Sequence, residues 1–256
     1  YDPSMIFSLG ANCYCWAYTD EAWSRIVESA IEPYLRLGES WNGPVDFGSG
    51  SYIERYAEAA AVVAERYNSL GAPLEHLELL NEPDGRFFRR SFLLPERRAT
   101  EIAELYKEMV LAVRHSVGFD INVGGMGFVS EGTAAFNDFV LNETSTPPIM
   151  ARVLQQLNGF FDFVSVHWYG NADQPQEVAR ELAGFLLDTR AALDKFCSEY
   201  TKHDDGSWWG WYQQTCNLPL HITEWNRCIN GDPGCTLHEA HGVKSASLAS
   251  AALTWM

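Results

Sequence analysis

The chain has 256 residues, enough for one large domain with a full hydrophobic core or for two small ones. Its 34 acidic residues outnumber the 18 basic ones and give a net charge of −16, which disfavours nucleic acid and anionic membranes as partners because both require a positive surface. Hydrophobic residues make up 46% of the chain, but no run of them is long enough to cross a membrane, so the composition predicts a soluble globular protein.

The predicted elements alternate between short apolar strands and longer amphipathic helices. The first four are strands at 5–10 and 34–38 and helices at 20–31 and 51–67. The capping box Ser51-Tyr52-Ile53-Glu54 predicts the start of the second helix, and Thr100 is the predicted cap of a later one. The remaining predicted strands lie at 76–82, 120–125, 162–169 and 219–224, and the remaining predicted helices at 100–117, 151–158, 175–200 and 237–256.

This alternation is typical of an α/β domain whose parallel strands are buried on both faces. No internal repeat and no low-complexity linker interrupts the sequence, so residues 1–256 are predicted to form a single domain. In α/β barrels the chemistry lies at the carboxyl ends of the strands. Three predicted strands have polar residues at that end: Asn81 and Glu82; His167 and Tyr169; and Glu224, Trp225 and Asn226.

Glu82 and Glu224 are the candidate catalytic residues. Considered alone, Glu82 is better explained as a loop residue, because the following Pro83 ends a strand without any catalytic role. Two strand-end glutamates with aromatic residues between them suit glycoside hydrolysis instead. One carboxyl group protonates the leaving oxygen, and the other attacks or shields the anomeric carbon. We expect the two groups to lie about 5–5.5 Å apart, the spacing of retaining enzymes.

The neighbouring polar residues are the candidate substrate contacts. Asn81 is expected to bind a sugar hydroxyl, and Tyr169 to orient the second carboxylate. Because side chains alternate along a strand, we expect His167 and Tyr169 to share a face. The same alternation predicts that Glu224 shares the face of Ile222.

The motifs LNEPD at 80–84 and ITEWN at 222–226 resemble the fourth and seventh barrel strands of clan A glycoside hydrolases. Together with the helix SYIERYAEAAAVVAERY at 51–67, they are most similar to glycoside hydrolase family 39, the group of β-xylosidases and α-L-iduronidases. The resemblance covers residues 50–256. It implies a (β/α)8 TIM-type barrel in which Asn81 and Glu82 supply the acid/base, Glu224 is the nucleophile, and His167 and Tyr169 line the subsite.

The barrel predicted from this resemblance is incomplete within the chain. The eighth strand and one or two N-terminal strands are not recognisable, so we expect a fragment or a diverged module. In the interpretation we prefer, MIFSLG at 5–10 is the third barrel strand and YLRLG at 34–38 lies in its long loop. In the alternative, the two segments are the first and second strands and the third is missing. Other chains or segments would then complete the barrel.

The cysteines and a sequon predict an extracellular or lumenal location. Six cysteines without a CxxC pair suggest disulfides rather than a zinc cluster. Cys197 and Cys216 lie in the same predicted connection and can pair, whereas Cys13, Cys15, Cys228 and Cys235 lie in loops at the opposite end. A Cys228–Cys235 bond would leave a strained Cys13–Cys15 ring, so cross-pairing between the two loops stays open. Asn142 opens a glycosylation sequon with Glu143 and Thr144.

The prediction from sequence is a retaining glycosidase that acts on a carbohydrate and requires neither a metal nor another cofactor. Two conspicuous features are assigned structural roles: the aromatic cluster at 208–212 is expected to pack at the far end of the barrel, and the arginine-rich segment at 86–98 to form a solvated loop. The rival function is a non-catalytic glycan-binding or structural module in an extracellular assembly. The missing strands favour the rival, whereas two facing carboxyl groups favour the enzyme.

Overall fold

The structure is a computed structural model of the chain. It describes residues 7–8, 13–14, 16–29, 34–37, 52–71, 74–81, 95–128, 153–154, 156–157, 159–169, 175–200 and 217–226. The described elements fall into two groups, a two-stranded hairpin near the start and a larger α/β unit that follows it.

Seven strands and four helices make up the described elements, and we number each type in chain order. The strands are β1 Phe7–Ser8, β2 Cys13–Tyr14, β3 Tyr34–Leu37, β4 His76–Leu79, β5 Asn122–Phe128, β6 Val164–Tyr169 and β7 Leu220–Asn226. The helices are α1 Ala17–Glu28, α2 Tyr52–Ser69, α3 Pro95–Val117 and α4 Pro175–Tyr200. Among the helices of the described ranges, none has the length and apolar character needed to span a bilayer.

Strands β3 to β7 form one parallel sheet in the same order as they occur in the chain. Helix α2 connects β3 to β4, α3 connects β4 to β5, and α4 connects β6 to β7. Successive strand–helix units with parallel neighbours confirm the predicted α/β class, and five adjacent strands are consistent with part of a TIM-type barrel. Closure of that barrel with eight strands stays a prediction.

The two faces of β4 show how the sheet is built. Leu77 and Leu79 are fully buried in the hydrophobic core, whereas Glu78 between them lies on the other face. Full burial of one leucine stabilises the fold by about 1.5–3 kcal/mol. The apolar face of β4 therefore holds the sheet against the helices, and we refer to the face that bears Glu78 as the inner face of the sheet.

Helices α2 and α3 pack against each other over this core. In α3, Ile102, Tyr106, Met109 and Val113 are buried at the three- and four-residue spacing that forms one face of a helix. Alanines dominate the buried face of α2, and their small side chains allow the two helices to approach closely. The amphipathic pattern of the sequence thus predicts both helices correctly.

The start of the sheet differs from both interpretations of the sequence. Tyr34–Leu37 is the immediate parallel neighbour of β4. The two strands pair residue by residue, beginning with Tyr34 opposite His76 and ending with Leu37 opposite Leu79. Tyr34–Leu37 cannot lie in a loop, and no strand stands between it and β4. Of the segment at 5–10, the described Phe7–Ser8 pairs antiparallel with Cys13–Tyr14 in a separate hairpin. Both interpretations are therefore wrong, because the short segment Tyr34–Leu37 is itself the strand beside β4.

Two predicted boundaries shift. Helix α3 begins at Pro95, so Thr100 lies inside the helix rather than at its cap. Proline suits the first turn of a helix because its missing N–H would have no intrahelical partner there. Strand β4 ends at Leu79, earlier than the predicted residue 82. The predicted final helix at 237–256 lies outside the described residues.

Candidate active site

The carboxyl ends of β3 to β7 meet at one edge of the sheet, because the five strands are parallel. Asn81 follows β4 at this edge, His167 and Tyr169 end β6, and the segment 224–226 ends β7. The three strand ends with predicted site residues therefore lie along one edge, and β5 lies between β4 and β6.

Several of the predicted residues lie outside the described part of the chain. They are Glu82, Asn142, Cys15, Cys216, Cys228 and Cys235, together with the segments 86–90 and 208–212. The structure describes only the backbone of Cys13, Tyr169, Cys197, Glu224, Trp225 and Asn226.

The register between β6 and β7 brings Glu224 beside His167. Their Cα atoms are paired, as are those of Trp168 with Trp225 and of Tyr169 with Asn226. One residue earlier on β6, Val166 pairs with Ile222, so β7 contains one extra residue between the two pairs. Such a bulge changes the alternation of side chains along a strand. The parity argument therefore does not extend past Ile222, and the face of the Glu224 side chain stays a prediction.

The chain makes a sharp turn between β4 and Asn81. Leu80 has a φ angle of 65°, in the left-handed region that costs a side chain with a Cβ about 1–2 kcal/mol. Leu80 is nevertheless buried in the core, which holds it in this conformation. Asn81 is 6% exposed, and its Oδ1 has no hydrogen-bond partner among the described residues. A buried amide oxygen of this kind at a strand end is ready to accept a hydrogen bond from a ligand.

A polar cluster lies on the inner face of the sheet, and of its members the sequence analysis predicted only His167 as a site residue. Glu78 and His167 are both completely buried. The Tyr34 hydroxyl donates to Glu78 Oε2 at 3.2 Å, and Arg36 Nη1 lies 3.2 Å from His167 Nε2. We refer to Tyr34, Arg36, Glu78, His167 and Thr223 as the interior cluster. It lies within the sheet whose carboxyl edge contains the candidate site.

Burial raises the pKa of the Glu78 carboxyl above its usual range. The Thr223 hydroxyl, His167, Arg36 and the hydrogen bond from Tyr34 all act in the opposite direction, but burial has the larger effect. Thr223 influences this carboxyl without meeting hydrogen-bond geometry, and Glu78 Oε1 has no partner among the described residues. Burial and the neighbouring Glu78 also raise the pKa of Tyr34, so its hydroxyl stays protonated.

Gly127 leaves the space in which Glu78 and His167 approach each other. A Cβ at this position would lie 2.5 Å from Glu78 Oε1 and 2.8 Å from His167 Nε2. Its φ angle of +57° also favours glycine, and its N–H donates to Ser165 Oγ at 2.8 Å. Gly127 therefore has a specific role, which is to admit polar side chains from β4 and β6.

Aromatic rings close the inner face at the opposite, amino-terminal end of the strands. Phe163 stacks on His221 at 4.3 Å between ring centroids, and Tyr34 stacks on His76 at 5.8 Å. The ring centroids of His76 and His221 are 5.3 Å apart, and the two rings are inclined at 61°. Within the described ranges, no group of three or more histidine, cysteine or acidic side chains converges as metal ligands would.

Three solved structures share the fold of this chain. A glucosidase from Croceicoccus marinus matches all of it, with a TM-score of 0.59 and 16% identity. A bacterial orthologue of human α-L-iduronidase matches 90% of it with a TM-score of 0.56 and 14% identity, and an arabinofuranosidase 92% with a TM-score of 0.53 and 17% identity. The chain covers 45%, 35% and 43% of these proteins, respectively, which is less than half of each.

No protein-family model matches the sequence, and no curated protein matches it in sequence. The chain therefore shares a fold with these glycosidases, although its sequence identity to each of them is low. This likeness agrees with the parallel α/β sheet described above.

Proposed function

We propose that the chain is part of a retaining glycoside hydrolase of clan A, most similar to family 39, that acts on a carbohydrate or glycoconjugate. The observation that supports this most is the register that pairs Glu224 with His167 at the sheet edge where Asn81 leads into Glu82. The fold shared with a glucosidase, an iduronidase and an arabinofuranosidase points in the same direction.

In the first step of the proposed reaction, the Glu224 carboxylate attacks the anomeric carbon as the bond to the leaving oxygen breaks. Glu82 gives its proton to that oxygen, so the leaving group departs as an alcohol. The sugar is then bound to Glu224 as an ester. Activity requires Glu224 to be ionised and Glu82 to be protonated, so we expect a bell-shaped pH curve.

In the second step a water molecule attacks the same carbon and releases Glu224. The Glu82 carboxylate removes a proton from this water, which restores the starting protonation of both groups. Two displacements at one carbon retain the configuration of the sugar. No metal or other cofactor is needed for either step.

Asn81 and His167 are the proposed substrate contacts with described side chains. Both are buried, so each hydrogen bond to a sugar hydroxyl would form in a site of low dielectric constant. We assign Tyr169 to the orientation of Glu224, and Trp225 and Asn226 to the walls of the subsite. These roles follow from their positions on β6 and β7.

We also propose an extracellular or lumenal location, with glycosylation at Asn142 and a Cys197–Cys216 disulfide. Six cysteines without a metal-like spacing and the sequon support this assignment. Peptide mapping without reduction tests it, because a free thiol at Cys197 or Cys216 would count against an oxidising compartment.

The test of the catalytic roles compares Glu82→Ala and Glu224→Ala in the complete protein. On substrates with poor leaving groups, Glu82→Ala should lose about 10²–10⁴-fold in kcat, the usual contribution of a general acid. With an activated phenolic leaving group, its covalent intermediate should still form and accumulate. Glu224→Ala should lose activity on both kinds of substrate, since no ester can form.

Glu75→Gln is the matched control for these variants. Glu75 is exposed and lies just before β4, so this change removes one carboxylate near the same strand without touching the site. We expect its activity to equal that of the unmodified protein. If the unmodified complete protein hydrolyses no glycoside in a broad panel, the proposal fails and the non-catalytic glycan-binding module replaces it.

A further inference from the structure

The interior cluster contains a third carboxyl group, Glu78, that the proposed mechanism does not use. It lies on β4, four residues before Glu82, and is completely buried on the inner face of the sheet. A buried carboxyl group is costly unless it is paired or protonated, so natural sequences rarely retain one without a role. Leucine or valine at this position would bury apolar surface at no such cost.

The contacts of Glu78 connect it with the edge that contains the candidate site. Its Oε1 and the Nε2 of His167 both lie against Gly127, where a Cβ would be 2.5 Å and 2.8 Å from them. The backbone of His167 is in turn paired with that of Glu224. His167 is therefore near the Glu78 carboxyl through its side chain and next to Glu224 through its backbone.

Arg36 fixes which nitrogen of His167 carries a proton. A guanidinium group only donates hydrogen bonds, so the 3.2 Å contact from Arg36 Nη1 requires a lone pair on His167 Nε2. The proton of the neutral ring is then on Nδ1. His167 thus presents an N–H on Nδ1, the nitrogen that does not face Arg36.

We propose that Glu78 is a positioning residue that acts in its protonated form and, with Arg36, holds the His167 ring beside Glu224. This inference rests on the proposed glycosidase function of the same site. While Glu78 is protonated, the positive charge of Arg36 stays directed at His167 and stabilises the ionised form of the nearby Glu224. When Glu78 loses its proton, its negative charge competes for Arg36 and opposes ionised Glu224.

Among the described residues, the groups that act on Glu78 come from β3, β6, β7 and α3. Strand β3 contributes Tyr34 and Arg36, β6 contributes His167, and β7 contributes the hydroxyl of Thr223. Strand β5 contributes no side chain, because its residue here is Gly127. Helix α3 contributes Tyr106, which interacts electrostatically with the same carboxyl.

These neighbours predict the direction in which Glu78 responds. Burial raises the pKa of the Glu78 carboxyl, and the hydrogen bond from Tyr34 counteracts part of this increase. Glu78 therefore keeps its proton to a higher pH than an exposed glutamate does. Removal of the Tyr34 hydroxyl should extend this range further.

The test measures kcat/KM against pH for Glu78→Gln, Tyr34→Phe and the exposed control Glu75→Gln. Under this proposal the basic limb contains the loss of two protons, that of the general acid Glu82 and that of Glu78. Glutamine has the size of a protonated glutamate and cannot ionise, so Glu78→Gln removes one of the two and the limb should move to higher pH. On that limb the variant should exceed the unmodified protein by about tenfold for each pH unit of the shift. Tyr34→Phe should shift the limb in the same direction, and Glu75→Gln should leave it unchanged.

Infrared spectroscopy provides a second measurement that needs no substrate. At a pH where exposed glutamates are ionised, the unmodified protein should retain the carbonyl band of a buried carboxylic acid. Glu78→Gln should lose this band, Glu75→Gln should keep it, and Tyr34→Phe should change its position because one hydrogen bond to the group is lost. If Glu78→Gln does not fold, the band and its response to Tyr34→Phe still decide the protonation state.

Three results would overturn the role of Glu78 while the glycosidase proposal stands. One is a Glu78→Gln profile that superimposes on that of the unmodified protein. Another is an equal loss of activity at every pH, which indicates a structural role only. The third is a carboxylic acid band of the active protein that is unchanged in Glu78→Gln. If the unmodified complete protein hydrolyses no glycoside, the proposed function fails first, and the role of Glu78 fails with it.

Discussion

Gly127 is the residue on which the geometry of the interior cluster depends most directly. Alanine there would put a Cβ 2.5 Å from Glu78 Oε1 and 2.8 Å from His167 Nε2, on a backbone with a φ of +57°. We expect Gly127→Ala to lower the free energy of unfolding by about 1–3 kcal/mol through crowding and backbone strain.

Gly184 in α4 is the matched control for this substitution. An added Cβ there meets nothing within 4 Å, and no left-handed φ favours glycine. Gly184→Ala should therefore raise the free energy of unfolding by about 0.5–1 kcal/mol, because alanine is the better helix former. Urea unfolding measures both variants. Equal stability of Gly127→Ala and the unmodified protein would show that Glu78 and His167 do not approach this glycine.

The buried carboxyl of Glu78 also predicts how stability depends on pH. Burial raises its pKa in the folded chain, so the folded chain binds this proton more tightly than the unfolded chain does. The resulting stabilisation is fully present below the pKa of an unfolded glutamate and is lost as the pH rises through the raised value. Because Glu78→Gln cannot ionise, its stability relative to the unmodified protein should increase with pH across that window.

Urea unfolding at a series of pH values measures this difference, with Glu75→Gln as the control. The exposed control should show no such trend. A constant difference between Glu78→Gln and the unmodified protein at all pH values would mean that Glu78 titrates alike in the folded and unfolded chains.

Sequence reasoning identified some residues of the interior cluster and missed others for a physical reason. His167 was recognised because it stands at a strand end, where function concentrates in α/β folds. Glu78 stands between Leu77 and Leu79, so it looks like the exposed member of an alternating strand. Only the sheet shows that its face is also enclosed, by Tyr34 and Arg36 of β3 and by Thr223 of β7.

Asp162 connects three elements at the start of β6. Its Oδ2 accepts the N–H of Val123 at 2.8 Å and the guanidinium of Arg114 at 3.0 Å, which ties β5 and α3 to this point. Hydrogen bonds to a charged group contribute about 1.5–3 kcal/mol each, and this group is partly exposed, which reduces the value. We expect Asp162→Ala to lower the free energy of unfolding by about 1.5–3 kcal/mol.

Asp120→Ala provides the comparison, since Asp120 is an exposed acid two residues before β5. Its removal should change the free energy of unfolding by less than about 0.5 kcal/mol. Equal losses for the two variants in urea unfolding would indicate that Asp162 does not anchor the neighbouring elements.

The long helices were the most predictable elements, because their amphipathic pattern persists over several turns. Helix α4 begins and ends as expected, at 175 and 200. Strand β3 was located but given the wrong place in the sheet, since a strand of four residues carries no information on its neighbours. The bulge in β7 left no signal in ITEWN, because its cause is the pairing with β6.

At the scale of the whole molecule, the parallel order β3 to β7 was predictable because helices alternate with strands. Each crossover helix returns the chain to the same end of the sheet, so the carboxyl ends meet at one edge. The prediction of a clan A barrel rested on two short motifs, and the shared fold with glycosidases agrees with it. The chain spans less than half of each of those proteins, so the complete barrel and its substrate stay predictions.

The central claim is that Glu82 and Glu224 act on opposite faces of the same anomeric carbon. Azide added to each alanine variant of the complete protein tests it, with proton NMR of the glycosyl azide as the measurement. At Glu82→Ala, azide should attack the ester of the sugar with Glu224 and give the retained configuration. At Glu224→Ala, it should enter from the vacated side, attack the substrate directly and give the inverted configuration. The same anomer from both variants would contradict the assignment of the two roles.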